Sequence, residues 1–291
     1  MDCHGSEISQ YLHYNKAFLE DYDIEFITLN DYVLNYNKFY NNTKLDDEHI
    51  MTLQNADILI LQVIEKDRGF LNNSEVIKFC KQDCKIIKIP HYRNSIYEYK
   101  LIENKSNKYD ILDWWHKGKN SWNFPNKIND INNVNETMEI IQNEIDVMNN
   151  FPHDKKEMLN SMNLKINEFK KIDNLSDIKM LDFYNNNYKK YRLFMGRSYP
   201  SSIFFFELTN RILSELHYSV NTTFIDSHFA QNTWDPIPDY WYKFCNFTFD
   251  NTYYVYGNIP VTECEWYYIL LYTEKPFVSR DINLKILQKI R

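Results

Sequence analysis

The chain opens on Met1-Asp2-Cys3-His4-Gly5-Ser6, which gathers a thiol, an imidazole and a hydroxyl around a flexible glycine. A run with helical periodicity follows directly: Ile8, Tyr11, Leu12, Phe18 and Leu19 recur on one face. A helix N-terminus carries partial positive charge and unpaired N–H groups. It favours the thiolate of a cysteine placed there and holds a phosphate or a developing oxyanion. The segment therefore reads as an active-site turn, with Cys3 and His4 as catalytic candidates and Ser6 as a binding one. A plainer reading, with Ser6 as an N-cap and Cys3 as a small buried residue, fits this segment taken alone at least as well.

Further candidates lie downstream. His91 and Arg93 follow Ile89-Pro90, just past an apolar strand, where α/β folds keep their chemistry. A histidine there suits a general base and an arginine suits a bidentate phosphate grip. Gln62 ends another apolar run, either as a satisfied strand-end amide or as an amide aimed into a ligand crevice. The segment from Asp110 to Lys119 mixes Asp113, Trp114, Trp115, His116, Lys117 and Lys119, a set that suits a sugar or an adenine ring, although paired tryptophans are more often core. Arg197, Tyr199 and Ser201 stand at the turn into a later helix, whose N–H groups are placed to hold an anion.

The elements that must position these residues read as α/β in the first half. Ile24 to Leu29 is a short β-branched and aromatic run, and Ile58 to Ile64 is an apolar strand of the kind buried on both faces of a parallel sheet. A helix over Ser74 to Cys80, capped by Ser74, and a strand over Lys85 to Ile89 complete a βαβ unit. The second half reads as helical: Asn133 to Met148, Lys155 to Phe169, Ser176 to Tyr188 and Ser201 to Leu216. Thr262-x-x-Glu265 forms a capping box for a last helix through Tyr272. The boundary falls near residue 128, giving an α/β domain over 1–128 and a mainly helical domain over 129–291.

Composition narrows the class. With 291 residues and a net charge of −7, the chain can bury a full core but lacks the basic face of a nucleic-acid binder. No apolar run reaches membrane-spanning length and no signal peptide is visible, so a soluble, cytoplasmic protein is expected. Five scattered cysteines without a Cys-x-x-Cys pair argue against a disulfide framework and a zinc site; Cys80 and Cys84 read as packing residues. No Gly-x-Gly-x-x-Gly, P-loop or His-Glu-x-x-His occurs, so dinucleotide oxidoreductases, P-loop NTPases and zincins are disfavoured and no metal is expected. Abundant Asn, Lys, Ile and Tyr, with alanine only at Ala17, Ala56 and Ala230, follow AT-rich codons. An AT-rich protist or a giant virus fits, with the host cytoplasm as location in the viral case.

In order and spacing, these segments resemble the WcbI-type polysaccharide biosynthesis family, acetyltransferases of capsule and surface-glycan pathways. Met1-Asp2-Cys3-His4 is similar to the family's opening Gly-Asn-Cys-Gln turn. Ala56-Asp57-Ile58-Leu59-Ile60-Leu61-Gln62 looks like its strand ending in Gln, and Ile89-Pro90 like its second strand end. The stretch Leu193 to Ser201 resembles its late Leu-Phe block before an apolar helix. His4 replaces the family's Gln and Tyr199 stands where its His usually is, so the role of that histidine does not transfer directly. The strand that the family places before its cysteine has no counterpart after Met1, so either the sheet is one strand short or upstream residues are missing. The resemblance implies a Rossmann-like (SGNH-like) parallel sheet with a mainly helical C-terminal part. It also implies acetyl-CoA as co-substrate and a sugar acceptor, here expected to be a nucleotide-linked deoxy or amino sugar. Direct transfer is favoured, with His4, His91 or His116 as base. Ser6, Gln62, Arg93, Lys117, Lys119, Arg197, Tyr199 and Ser201 would hold the coenzyme or a nucleotide diphosphate. An SGNH-like esterase and a non-catalytic glycan- or nucleotide-binding module are the alternatives.

Overall fold

The computed structural model describes residues 3–27, 45–63, 71–92, 96–97, 130–150, 154–195, 199–224, 233–234, 236–251, 254–256, 259–273 and 280–291. Along these run α1 (Cys3–His13), α2 (Lys16–Asp21), α3 (Asp47–Asn55), β1 (Ile58–Gln62), α4 (Asn73–Ile77), β2 (Lys85–Ile89), α5 (Val134–Asn150) and α6 (Lys155–Leu175). There follow α7 (Leu181–Asn187), α8 (Ser202–Glu215), β3 (Thr233–Trp234), α9 (Asp239–Cys245), β4 (Tyr254–Tyr256), β5 (Ile259–Val261), α10 (Glu263–Thr273) and α11 (Arg280–Ile290). Two compact units divide the chain. The first holds residues 1–93, 167–186 and 199–227, and the second holds 94–166, 187–198 and 228–291.

The first unit is built on a parallel pair, β1 and β2, in register from Ile58↔Lys85 to Gln62↔Ile89. The sequence between them contains α4, so the expected βαβ unit is present. Burial of β1 rises along the strand: Ile58 to Ile60 are half-buried, and only Leu61 and Gln62 are buried. β1 is thus not buried evenly on both faces. Among the described residues, the outer edge of β2 is met at Lys88 by irregular backbone rather than by a strand. Lys88 N–H donates to the Asp177 carboxylate at 2.8 Å, and the N–H groups of Asp177 and Ile178 donate to the Lys88 carbonyl. That use of residues 176–180 explains why α7 is shorter than the expected Ser176–Tyr188 helix.

α1 packs on α8, and its buried face is Ile8, Tyr11 and Leu12. Leu19, expected on that face, is exposed, because the helix stops at His13 and restarts as α2. Asn15 makes this break. Its Oδ1 accepts from Phe18 N–H at 3.1 Å and its Nδ2 donates to the Ser219 carbonyl at 2.7 Å. α1 itself begins at Cys3, one turn earlier than an Ser6 cap would have it, so Ser6 lies inside the helix. Ser74 likewise lies inside α4, whose N-cap position is Asn72. Residues 22–27 pair with no strand among the described residues.

In the second unit α5, α10 and α11 bury Ile141, Ile145, Trp266, Tyr268, Ile269 and Ile286. The Thr262/Glu265 capping box is present and reciprocal: Glu265 N–H donates to Thr262 Oγ1 at 3.2 Å, and Thr262 N–H to Glu265 Oε2 at 2.8 Å. Arg291 also binds Glu265, holding its carboxyl below the usual range despite burial. The mainly helical second half carries, in addition, an antiparallel sheet in the order β3-β4-β5. Strands of two or three residues leave no alternation to read.

Glu263, at the start of α10, has a buried Oε1 with no hydrogen-bond partner among the described residues. Burial, with Asp239 and Asp146 nearby, pushes its carboxyl up to about 8. Such a group binds its proton more tightly folded than unfolded. The stability it contributes is complete below the ordinary glutamate range and is lost as pH rises to about 8. Glu263→Gln is expected to flatten the decline of the melting temperature between about pH 5 and 8, through relief on the order of 1–3 kcal/mol. Parallel declines in both proteins would count against this assignment.

Candidate functional site

Because β1 and β2 run parallel in register, Gln62 and Ile89 end at the same level, and the chain leaves both strands on one side. That is the edge where open α/β sheets bind ligands. Gln62, Pro90 and Tyr92 are buried there, and His91 is half-buried. Tyr92 fixes the segment. Its ring stacks on Phe169 at 3.6 Å between centroids and 7° between planes, and its hydroxyl donates to Asp173 Oδ1 at 2.9 Å. Burial, reinforced by the Asp173 carboxylate, pushes the Tyr92 hydroxyl far above its ordinary value, so it stays a donor. His91 is held between Pro90 and this anchor.

α1 brings the second imidazole. His4 is 4 % exposed, and the His91, Tyr199 and Phe205 rings meet it edge-on at 5.1, 5.4 and 5.5 Å. Gln62 Nε2 lies 2.9 Å from His4 Nδ1. With the amide nitrogen as donor, Nδ1 accepts, and a neutral ring then carries its proton on Nε2. In that tautomer His4 is a hydrogen-bond donor, suited to polarising a carbonyl or holding an oxyanion rather than to taking a proton. Gln62 is positioned in turn by Asn73, whose Nδ2 donates to the Gln62 carbonyl at 2.8 Å.

The N-terminus of α1 adds its dipole: Cys3 is its first residue and the first turn carries no acidic side chain. The Cys3 side chain lies outside what is described. Ser6 is half-buried within α1. At the N-terminus of α8, Ser201 has φ −77° and ψ 166° and makes no side-chain cap. Its Oγ is buried without a hydrogen-bond partner among the described residues.

His4, Gln62, His91 and Tyr199 are therefore brought together, with Ser201 two residues beyond Tyr199. Arg93, His116, Lys117, Lys119 and Arg197 lie outside the described residues. Sequence reasoning missed Glu7, a carboxylate with 0 % exposure. The signal was there: positions 4, 7, 8 and 11 form one helical stripe, so Glu7 sits on the buried face, one turn from Cys3 and His4. Phe205 and Asn73 complete the surroundings of His4 and Gln62. Among the described residues, no group of three or more His, Cys, Asp or Glu side chains could hold a metal ion. No helix among them is long and apolar enough to cross a membrane.

No protein-family model matches the chain, and no curated protein matches it in sequence. Its fold nevertheless has a solved counterpart: it is a WcbI-like mixed α/β fold with a small parallel sheet and many helices. The matching structure is WcbI, a polysaccharide biosynthesis enzyme, in its native form without a disulfide bond between coenzyme A and one of its cysteines. It matches with a TM-score of 0.60 over 99 % of this chain and 96 % of its own, at 13 % identity.

Two outcomes are expected. Tyr92→Phe leaves the buried Asp173 without one of its donors and should cost about 1–3 kcal/mol in denaturant unfolding; an unchanged midpoint would remove Tyr92 as the anchor. Nitrogen NMR of His4 should show a protonated Nε2 and an accepting Nδ1. The opposite tautomer would mean that Gln62 presents its oxygen and that His4 is a base.

Proposed function

We propose that the chain is an acetyl-CoA-dependent acetyltransferase acting on an amino or hydroxyl group of a sugar in glycan biosynthesis. The observation that carries this reading is the WcbI-like fold with a cysteine as the first residue of α1 and two imidazoles, His4 and His91, in edge contact at the strand ends. WcbI itself is a polysaccharide biosynthesis enzyme, solved in its native form without a disulfide bond between coenzyme A and a cysteine. The residues present fit such a co-substrate, since the N-termini of α1 and α8 and the Ser201 hydroxyl favour an anion or an oxyanion. A nucleotide-linked deoxy or amino sugar is the acceptor favoured here.

Acetyl-CoA supplies the acetyl group as a thioester. The protein must hold that carbonyl, steady the oxygen as it gains charge, and take a proton from the attacking amine or hydroxyl. His4 Nε2–H and the N-terminus of α1 serve the oxygen, and half-buried His91 takes the proton. Gln62 and Tyr199 fix the plane of the His4 ring. Ser6 and Ser201 line the coenzyme side, and Arg93 is the phosphate grip. His116 is the remaining candidate base. Direct transfer is the favoured route, with Cys3 marking the thioester position rather than carrying the acetyl group.

Calorimetry of the intact chain with coenzyme A and with acetyl-CoA is the test, and micromolar affinity is the expected result. His91→Ala should then lower kcat by about 10²–10⁴-fold while leaving coenzyme binding intact. Cys3→Ala should retain most turnover if transfer is direct and abolish it if Cys3 is acetylated. No binding by a folded sample overturns the transferase reading and favours an SGNH-like esterase or a glycan-binding module.

A further inference from the structure

Ser201 stands at the N-cap of α8 but does not cap it. Its carbonyl is in use, accepting from Phe204 N–H at 3.0 Å and Phe205 N–H at 3.1 Å. Its hydroxyl is not. The residue is 6 % exposed, makes no side-chain cap, and has a buried Oγ with no hydrogen-bond partner among the described residues. With φ −77° and ψ 166° the backbone is that of an ordinary N-cap, so no strain keeps the hydroxyl from capping. The Ile203 N–H, which such a cap would take, likewise has no partner among the described residues. A buried hydroxyl and the N–H it would cap are thus both left unspent at one helix end, and an outside oxygen set between them would accept from both.

This end of α8 lies at the candidate site. Tyr199 comes two residues before Ser201 and Phe205 one turn after it, and both rings meet His4, at 5.4 and 5.5 Å. Tyr11 fastens the two helices, its hydroxyl donating to the Ser202 carbonyl at 3.3 Å. α8 runs for 14 residues, so its dipole adds to the two donors. Neutral, buried donors suit an oxygen that is uncharged on arrival and gains charge only during reaction. A phosphate brings its full charge with it, and burying that charge requires cations. Glu7 sharpens the contrast. It is 0 % exposed on the α1 stripe between His4 and Tyr11, so a permanent anion against this face would be set beside a carboxyl group.

We propose that Ser201 is a catalytic residue whose Oγ–H, together with the Ile203 N–H, donates to the thioester carbonyl oxygen of the acyl donor. The inference rests on the transferase reading above. The acceptor nitrogen or oxygen bonds to the carbonyl carbon, and the carbonyl π pair moves onto the oxygen held by these donors. The double bond then re-forms as the carbon–sulfur bond breaks, and the coenzyme A thiolate leaves. His91 takes the acceptor's proton and passes it to that thiolate. The α8 donors thus complete, from a second helix, the oxyanion site that His4 begins.

The test compares Ser201→Ala and Ser201→Thr with the wild-type chain in three measurements. These are release of coenzyme A from acetyl-CoA with glucosamine or water as acceptor, calorimetry with free coenzyme A, which has no carbonyl at its sulfur, and thermal melting. Ser201→Ala is expected to lower kcat by about 10²–10³-fold, to bind free coenzyme A as the wild type does, and to melt no lower. Ser201→Thr keeps the hydroxyl and should recover most of the lost rate. A wild-type chain that releases no coenzyme A overturns the transferase reading, and this inference with it. An active wild type beside an equally active Ser201→Ala overturns this inference alone. So does a parallel loss of rate and coenzyme affinity, which would put Ser201 on a phosphate, or a lower melting temperature, which would make it a cap.

Discussion

Everything at the candidate site depends on the register of two parallel strands. Pairing Gln62 with Ile89 brings an amide and, two residues past Ile89, an imidazole to the same rim. Parallel strands cannot be joined by a tight turn, so the α4 crossover is obligatory, and it also supplies Asn73, which holds the Gln62 carbonyl. α1 then needs only to lay its first turn against that rim for His4 to meet both Gln62 and His91. A slip of one residue would turn Gln62 away and remove its buried hydrogen bond to His4.

The composition sets the style of the interior. A chain with few alanines and 23 tyrosines must fill its core with rings that carry hydroxyls. Each buried hydroxyl then requires a partner. Tyr92 uses Asp173, and Tyr11 reaches the Ser202 carbonyl at 3.3 Å. In the second unit Tyr97 accepts from Leu193 N–H at 2.9 Å, and Tyr268 donates to the Ile131 carbonyl at 2.9 Å. These bonds join segments far apart in sequence and do locally what an apolar core does by shape alone. Nucleotide composition, read first as a record of the genome, thus reappears as a demand for specific polar partners.

Much of this was legible from the chain alone. The strands at Ile58 and Lys85, the α8 helix and the Thr262/Glu265 box rest on strong local patterns, and each is present within a residue or two of its expected limits. His4, Gln62, His91 and Tyr199 were singled out separately, but their meeting was not readable, because it depends on contacts across 58 residues and more. The start of α1 was misplaced because packing against α8 carries the helix a turn further than capping chemistry predicts. Residues 176–180 carry a helical pattern, yet their backbone is committed to Asp173 and to the edge of β2. Glu7 stands on an apolar helical stripe, where its charge conceals its burial.

The closure of that edge has a consequence for growth and association. A strand with free N–H and C=O groups along its rim is a template on which any extended chain can assemble. At Lys88 both groups are taken, the donor by a carboxylate and the acceptor by two successive amides. A third strand would therefore find both backbone groups of Lys88 already occupied. The segment after α6 thus withdraws one residue of the β2 rim from further pairing.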